Sequence, residues 1–312
     1  MSSYFNYPGR GVDCTMKSLQ CSIAQIRPVL GDIQKNLDKH MEFIEKAKRH
    51  KSNVLVFPEL SLTGYTLQDL TYDVALTIDS QPIKQIISQS QEVDIIFSFV
   101  EEDATHSFYI SAVYASKGRI AHVHRKVYLP TYGLFDEARY FDAGNRVQAF
   151  DTGNVKAGML ICEDAWHPST AYILSTDGAH VIYVLAASPG RGMREGEIQS
   201  DAWWQTTIRS YAQLHGVFVV YANRVGIEDG LVFAGGSSIF DSEGEQIIKA
   251  AYLEEELITA NLDFRKLRRS RIINPLMRNE KLEITLNELQ RIAKSSYSNS
   301  LHENRQKGGG LL

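Results

Sequence analysis

The chain has 312 residues, 44% of them apolar, and a formal net charge of -4. This is enough for one large domain or two small ones, without the basic excess of a nucleic-acid-binding protein or the acidic block of a disordered tail. No apolar run reaches the roughly 18 residues that span a bilayer, and the polar N-terminus lacks the layout of a signal peptide, so we expect a cytoplasmic protein without a membrane segment.

The first half of the chain alternates strand patterns with helix patterns. Alternating apolar residues predict a strand over 17–27, and apolar spacing over 33–47 predicts a helix with Asp32 as a suitable N-cap. The continuous apolar run at 53–58 is typical of a strand buried on both faces. The pattern then predicts a helix over 82–90 and strands over 93–100, 107–116 and 119–125, the last two joined by a turn at Lys117-Gly118.

The second half begins with an irregular stretch, 127–146, rich in glycine, proline, aromatic and charged residues. Long ordered loops of this kind are often functional. Strands are then predicted over 155–162, 180–186, 217–223, 237–240 and 246–249, and helices over 168–177 and 198–215. Strands that alternate with helices indicate an α/β layered fold. Composition indicates little order in 1–16 and 295–312.

Three reactive side chains lie at or just after the C-terminal ends of predicted strands. Glu59 follows one apolar strand, Lys126 follows another, and Cys162 ends a third. In α/β sheets this end of the strands opens into the crevice where ligands bind. A carboxylate, an ammonium and a thiol at one rim can form an activated nucleophile, because the carboxylate accepts the thiol proton while the lysine favours the thiolate and stabilises an oxyanion.

The other two cysteines, Cys14 and Cys21, are interpreted as structural or tail thiols. An odd, sparse set without a CxxC pair argues against a disulfide framework and a zinc site, and it fits a reducing compartment. His122 and His124 share one face of a strand as metal ligands can. No third ligand stands out nearby, so we interpret them as ordinary strand residues and expect neither a metal nor an organic cofactor.

The residues around the three reactive positions form recognisable blocks. They are Phe57-Pro58-Glu59-Leu60, His124-Arg125-Lys126-Val127-Tyr128-Leu129-Pro130 and Gly158-Met159-Leu160-Ile161-Cys162-Glu163-Asp164-Ala165-Trp166. In this order they resemble the nitrilase superfamily of carbon–nitrogen hydrolases, and the likeness extends to about residue 262. The resemblance implies an α-β-β-α sandwich, an α/β fold with two sheets and helices outside.

Further runs are similar to the glutaminase (amidase) domain of glutamine-dependent NAD synthetases. They are Thr63-Gly64-Tyr65, Phe135-Asp136-Glu137, Arg139-Tyr140-Phe141 and Ala222-Asn223-Arg224-Val225-Gly226. The resemblance implies that Glu59 is the general base, Cys162 the nucleophile and Lys126 the stabiliser of the oxyanion. Glu137 matches the second glutamate of the family, which positions the lysine. The backbone N–H of Glu163 is expected to complete the oxyanion hole.

The same resemblance implies a set of substrate contacts. Glu163 and Tyr132 are expected to face the α-amino group of a glutamine-like substrate, and Ser188 and Arg194 to hold its α-carboxylate, with Arg191 as a rival for that role. Tyr65 completes the predicted substrate contacts. The chain departs from the synthetase pattern at Thr131, Gly230 and Ala234, where asparagine, glutamate and aspartate are usual. The resemblance therefore leaves the choice of amide open.

We predict a thiol-dependent hydrolysis of a non-peptide C–N bond in a small amide, through a cysteine thioester. Three alternatives remain open: an ammonia-supplying glutaminase that works with a separate synthetase chain, an N-carbamoyl amide hydrolase, and a scaffold with a decayed site. No SGG-x-D-S nucleotide loop is present, so we expect no synthetase domain within the chain.

The predicted organisation is a flexible arm at 1–16, a hydrolase domain at 17–262 and a C-terminal extension at 263–312. The resemblance implies at least a homodimer, with 168–177 and the extension contributing to the contact before a flexible tail. Besides its small-molecule substrate and a possible synthetase partner, we expect no nucleic acid and no membrane among its partners.

Overall fold

The computed structural model describes the backbone of residues 17–194 and 197–307, and the side chains of residues 17–193 and 198–295. The arm predicted at 1–16 lies outside the described residues. The strands are β1 (Ser18–Gln25), β2 (Val54–Val56), β3 (Asp94–Glu102), β4 (Phe108–Ser116), β5 (Arg119–Arg125), β6 (Phe150–Asp151), β7 (Lys156–Ile161), β8 (Val181–Ala186), β9 (Met193–Arg194), β10 (Glu197–Ile198), β11 (Phe218–Asn223), β12 (Val225–Glu228), β13 (Leu231–Ala234), β14 (Ser238–Phe240), β15 (Gln246–Lys249) and β16 (Glu256–Asp263).

The helices include counterparts of the four predicted over 33–47, 82–90, 168–177 and 198–215. They are α1 (Ile33–Arg49), α2 (Thr71–Val74), α3 (Gln81–Ser88), α4 (Pro168–Thr176), α5 (Gln199–His215), α6 (Phe264–Ile273), α7 (Leu276–Asn279) and α8 (Leu282–Lys307), with short 3₁₀ turns at Gln68–Leu70, Glu137–Arg139 and Cys162–Trp166. Asp32 caps α1 as predicted, since its side chain accepts a hydrogen bond of 3.0 Å from the Lys35 N–H.

Two six-stranded sheets form the centre of the molecule. Their strand orders are β16-β1-β2-β3-β4-β5 and β15-β14-β11-β8-β7-β6. Apolar side chains from both sheets meet between them; for example, the Tyr114 and Tyr183 ring centroids lie 6.3 Å apart. A second apolar layer packs α1 and α3 on the outer face of the first sheet, and α5 packs on the second sheet through Trp204 against Tyr221. This is the predicted α-β-β-α sandwich.

Two tight hairpins come from residue pairs with positive φ. Lys117-Gly118 joins β4 to β5 with φ angles of 53° and 71°. Asp229-Gly230 joins β12 to β13 with φ angles of 48° and 78°. Such pairs match the twist of the flanking strands, and glycine adopts positive φ without steric cost. The turn explains the glycine at position 230, where the synthetase pattern usually has glutamate.

The last strand and the C-terminal helices were not fully predicted from the sequence. β16 pairs antiparallel with β1 from Ser18↔Asp263 to Gln25↔Glu256, so the first and last strands of the sandwich are neighbours. The backbone N–H of Phe264 also donates to the Lys17 carbonyl at 3.1 Å. The backbone of α8 is helical to Lys307, within a range whose composition indicated little order. The domain boundaries assigned from sequence stay predictions.

Candidate active site

The structure brings the predicted reactive residues to one end of the sandwich. Glu59 follows β2 and Lys126 follows β5, both in the first sheet, while Cys162 follows β7 in the second. The Lys126 Nζ lies 2.7 Å from Glu59 Oε1. The other Glu59 oxygen, Oε2, accepts a hydrogen bond of 2.8 Å from the backbone N–H of Ala187, just after β8. Glu59 therefore contacts groups from both sheets.

Lys126 lies between two carboxylates. Its Nζ donates to Glu137 Oε1 at 2.8 Å as well as to Glu59. Lys126 and Glu59 are fully buried, and Glu137 is nearly so. Burial lowers the pKa of Lys126, but the charges of Glu137 and Glu59 outweigh it and hold that pKa well above its ordinary value. The lysine therefore remains a cation inside the protein.

Glu137 is tied to the cluster by a second donor. The Tyr65 hydroxyl donates to Glu137 Oε1 at 2.7 Å, and the Tyr65 ring lies edge-on to Phe135 and Phe233. Burial raises the pKa of Glu137 to about 7, against the opposing effect of Lys126. Tyr65 thus supports the charged cluster from the side of Glu137. Its predicted contact with substrate stays a prediction.

Cys162 begins a 3₁₀ turn directly after β7. Its φ angle is +44°, in the left-handed region that non-glycine residues adopt rarely. Only 8% of the residue is exposed. Burial and the negative charge of Glu59 raise the pKa of the thiol well above its ordinary value, while Lys126 opposes them. At rest the group is therefore a protonated thiol close to a carboxylate that can accept its proton.

A cavity of about 460 Å³ opens over Cys162. Its polar side chains are Glu137, Glu163, Ser188, Arg191, Gln199 and Ser200, and its aromatic ones are Tyr132, Phe135, Trp166, Trp203 and Trp204. A volume of this order fits a small molecule. The cavity over the thiol therefore presents two acids, Glu137 and Glu163, and one cationic side chain, Arg191.

Contacts among the lining residues hold the cavity in shape. The Tyr132 hydroxyl donates to Glu163 Oε2 at 2.8 Å. The Ser188 Oγ accepts a hydrogen bond of 2.8 Å from Trp204 Nε1. The Arg191 guanidinium carbon lies 5.2 Å from the Phe135 ring centroid, within cation–π range. The polar lining groups are therefore oriented before any ligand binds.

The predicted substrate contacts divide into three groups. Tyr132, Glu163 and Ser188 line the cavity, whereas Tyr65 does not. The backbone of Arg194 belongs to β9, but its side chain is not among those that the structure describes. Arg191, its rival from sequence, lines the cavity.

Sequence reasoning missed several residues of this region. Trp203 and Trp204 are not among the predicted site residues, yet both line the cavity; Trp204 is buried and Trp203 is 59% exposed. Asp164 was noted only within its block, although it is fully buried and bonded to His124 at 2.8 Å. Two aromatic residues at the start of a helix carry no sequence signal for lining a pocket, because only the packing of α5 determines where they point.

The part of the chain that the structure describes has neither a candidate metal site nor a membrane-spanning helix. No group of three or more His, Cys, Asp or Glu side chains there is arranged to hold a metal ion. Of the two histidines on β5, His124 contacts Asp164, and His122 stacks on Phe150 with ring centroids 4.2 Å apart. None of the described helices is long and apolar enough to cross a membrane.

Comparison with known proteins agrees with this geometry. The carbon-nitrogen hydrolase family model matches residues 20–272. The glutamine-dependent NAD(+) synthetase of Thermotoga maritima is 35% identical over 268 residues, covering 84% of this chain and 45% of that protein. The structure of glutamine-dependent NAD+ synthetase from Acinetobacter baumannii is 31% identical with a TM-score of 0.72, covering 80% of this chain and 47% of the other. The carbon-nitrogen hydrolase of Helicobacter pylori G27 is 25% identical with a TM-score of 0.77, covering 88% and 98%.

These matches have two consequences. The chain spans about half the length of the curated relatives that it matches, so it is similar to one part of an NAD synthetase. The family match covers most of the chain, and both the predicted sandwich and the likeness to the NAD synthetases are confirmed. The protein therefore belongs to the carbon–nitrogen hydrolase family, within the nitrilase superfamily.

Proposed function

We propose that the protein hydrolyses the side-chain amide of a small α-amino acid, with glutamine as the first candidate, and releases ammonia through a thioester on Cys162. The observation that carries the proposal is that the cavity over the thiol is lined by both a carboxylate, Glu163, and a guanidinium, Arg191. A carboxylate suits an α-ammonium group, and the planar guanidinium suits an α-carboxylate. A simple aliphatic amide or a nitrile would offer neither of these side chains an opposite charge.

The first half of the reaction assigns one role to each buried group. Glu59 accepts the thiol proton, and the Cys162 sulfur attacks the amide carbon. The negative charge that develops on the amide oxygen is stabilised by the Lys126 ammonium and by the backbone N–H of Glu163. Glu59 then gives its proton to the leaving nitrogen, so that ammonia departs and a thioester remains.

The second half repeats the same proton transfers with water. Glu59, again a carboxylate, accepts a proton from the attacking water, and the oxyanion re-forms beside Lys126. The C–S bond breaks, the sulfur takes back the proton from Glu59, and a carboxylic acid leaves. Glu137 keeps Lys126 charged throughout through its 2.8 Å contact.

Ammonia release tests the proposal directly. The purified protein is assayed with glutamine, other ω-amides, N-carbamoyl amines and nitriles. We expect glutamine-like ω-amides to turn over and Cys162→Ala to abolish release. Cys21→Ala is the matched control, because Cys21 is a fully buried thiol whose pKa is raised by burial and which lies away from the cavity. Its activity should remain near that of the wild type.

The result that contradicts the proposal is also specific. If no substrate class releases ammonia and iodoacetamide reacts with Cys162 no faster than with a free thiol, the scaffold interpretation replaces the enzyme. If only N-carbamoyl amines react, the enzyme is a carbamoyl hydrolase and the roles of Glu163 and Arg191 are wrong.

A second candidate follows from the relatives. The similar proteins are called glutamine-dependent NAD(+) synthetases, and this chain matches 45% of the Thermotoga maritima protein. A glutaminase of this kind is suited to supply ammonia to a separate synthetase chain. Glutamine turnover that rises when such a chain is added, with ammonia retained in the complex, would favour this version.

A further inference from the structure

The carboxylate of Asp164 accepts hydrogen bonds from four different donors. Its Oδ2 accepts from the Ile161 N–H at 3.0 Å and lies 2.8 Å from His124 Nε2. Its Oδ1 accepts from the N–H groups of Val127 and Tyr128, each at 2.9 Å. Burial raises the pKa of Asp164, but these donors, His124 first, outweigh it and lower that pKa below its ordinary value. An ionised carboxylate only accepts, so His124 Nε2 is the donor.

The four donors flank two of the residues assigned to the reaction. Ile161 directly precedes Cys162, at the end of β7 in the second sheet. Val127 and Tyr128 directly follow Lys126, and His124 precedes it within β5 of the first sheet. β5 and β7 belong to different sheets, so no strand pairing fixes their relative position. One buried carboxylate bridges them.

The same carboxylate holds the unusual backbone of Cys162. A non-glycine residue at a φ of +44° persists only where surrounding contacts enforce it. The bond from the Ile161 N–H to Asp164 Oδ2 closes a turn across Cys162. The Thr170 hydroxyl donates to the Asp164 carbonyl at 2.7 Å and holds the other side of that turn. The direction of the thiol therefore depends on Asp164.

We propose that Asp164 and His124 are a positioning pair, which fixes the nucleophile Cys162 relative to Lys126 across the gap between the two sheets. Neither member lines the cavity over Cys162, so the pair acts through the residues it holds and not by touching substrate. The inference rests on the proposed function for its kinetic consequence. Its geometric consequence, the environment of the thiol, is independent of the substrate.

The primary variant is His124→Phe, which removes one donor and leaves the carboxylate. We expect kcat on the ω-amide to fall about 10- to 100-fold with KM changed by less than about threefold, because a small misplacement of reacting groups has effects of that size. The pH for half-maximal alkylation of Cys162 by iodoacetamide should rise, because the thiol lies less favourably against Lys126. Peptide mass spectrometry separates Cys162 from Cys14 and Cys21.

Two further variants serve as a rescue and as a matched control for His124→Phe. His124→Gln keeps an N–H that can reach Asp164 and should recover most of kcat. His122→Phe makes the same change two residues earlier on β5, at a ring that stacks on Phe150 and does not touch Asp164, and it should behave like the wild type.

Asp164→Asn distinguishes positioning from charge by sign. Removing a negative charge near Cys162 would by itself lower the alkylation pH, whereas loss of position relative to Lys126 raises it. A shift to lower pH overturns the proposal, and so does a His124→Phe enzyme with the kcat and alkylation profile of His122→Phe. If Asp164→Asn does not fold, the histidine variants decide. If the wild type turns over no amide, the proposed function fails while the alkylation profile still tests the pair.

Discussion

The charged cluster Glu59, Lys126 and Glu137, called the floor below, is almost wholly buried, whereas Tyr132 and Trp203 at the rim of the cavity are 55% and 59% exposed. The floor consists of charges whose hydrogen bonds come from other buried groups, so replacing one leaves another charge uncompensated in the interior. The rim consists of side chains on a long loop and on the first turns of α5, which can change with little effect on the fold. The chemical step and the choice of substrate therefore depend on regions with opposite tolerance to substitution.

Lys126→Met, a change in the floor, is expected to have the largest effect on both stability and catalysis. It leaves Glu59 and Glu137 buried without their shared cation, so we expect a loss of about 3–5 kcal/mol in the free energy of unfolding and a fall in kcat of about a thousandfold. Urea unfolding and ammonia release measure the two effects. The matched control is Lys156→Met at the partly exposed Lys156–Asp177 pair, separated by 2.7 Å, which should lose less than about 1 kcal/mol. Equal losses would show that burial of the cluster does not matter.

Glu137→Gln tests the floor through the pH dependence of the free energy of unfolding. The pKa of Glu137 is raised by burial to about 7, above its ordinary 4.5. Between these values the folded protein binds more protons than the unfolded chain, so this group lowers the free energy of unfolding as the pH rises, by up to about 3 kcal/mol. The glutamine variant should remove that slope. Asp136→Asn, which removes an exposed charge one residue away, is the control, and parallel curves for wild type and Glu137→Gln would contradict the prediction.

Tyr132→Phe is expected to have the smallest effect and to alter the rim alone. Burial and the Glu163 carboxylate raise the pKa of Tyr132 to about 12, so its hydroxyl keeps the proton that it donates to Glu163. Losing that bond should raise KM by roughly five- to tenfold, equivalent to about 1 kcal/mol, with kcat and the melting temperature nearly unchanged. Tyr140→Phe, on the same loop but outside this cavity, is the control. A change in kcat without a change in KM would show that Tyr132 affects the chemical step, as the floor residues do, and not the binding of substrate.

The division between the buried floor and the exposed rim also explains which parts of the site could be predicted from the sequence. Glu59, Lys126 and Cys162 follow strongly apolar strands within recognisable blocks, so their convergence was predictable. β16 was not predicted, although its buried residues, Ile258, Ala260 and Leu262, lie at the alternate positions expected of a strand with one buried face. That signal was available in the sequence, but the position of β16 at the edge of the sheet is set by its pairing with β1.

The rim could be predicted only in part. Tyr132, Glu163 and Ser188, which the family resemblance implied as substrate contacts, do line the cavity. The choice between Arg191 and Arg194, and the inclusion of Trp203, depend on how the loop before α5 packs against Phe135. Nor could the role of Asp164 be predicted from its block, because three of its four donors, in His124, Val127 and Tyr128, lie 36 to 40 residues earlier in the chain.

The pairing of β1 with β16 places both ends of the sandwich at one edge, with Lys17 and Phe264 joined by a backbone hydrogen bond of 3.1 Å. Chains whose ends meet in this way can be joined by a short linker and reopened at a surface loop without changing the path of the remaining backbone. The catalytic end of the sandwich would be unaffected by such a circular permutation. The order of segments along the chain is thus separable from the arrangement that does the chemistry, and new domains can be attached at that edge without passing through the active site.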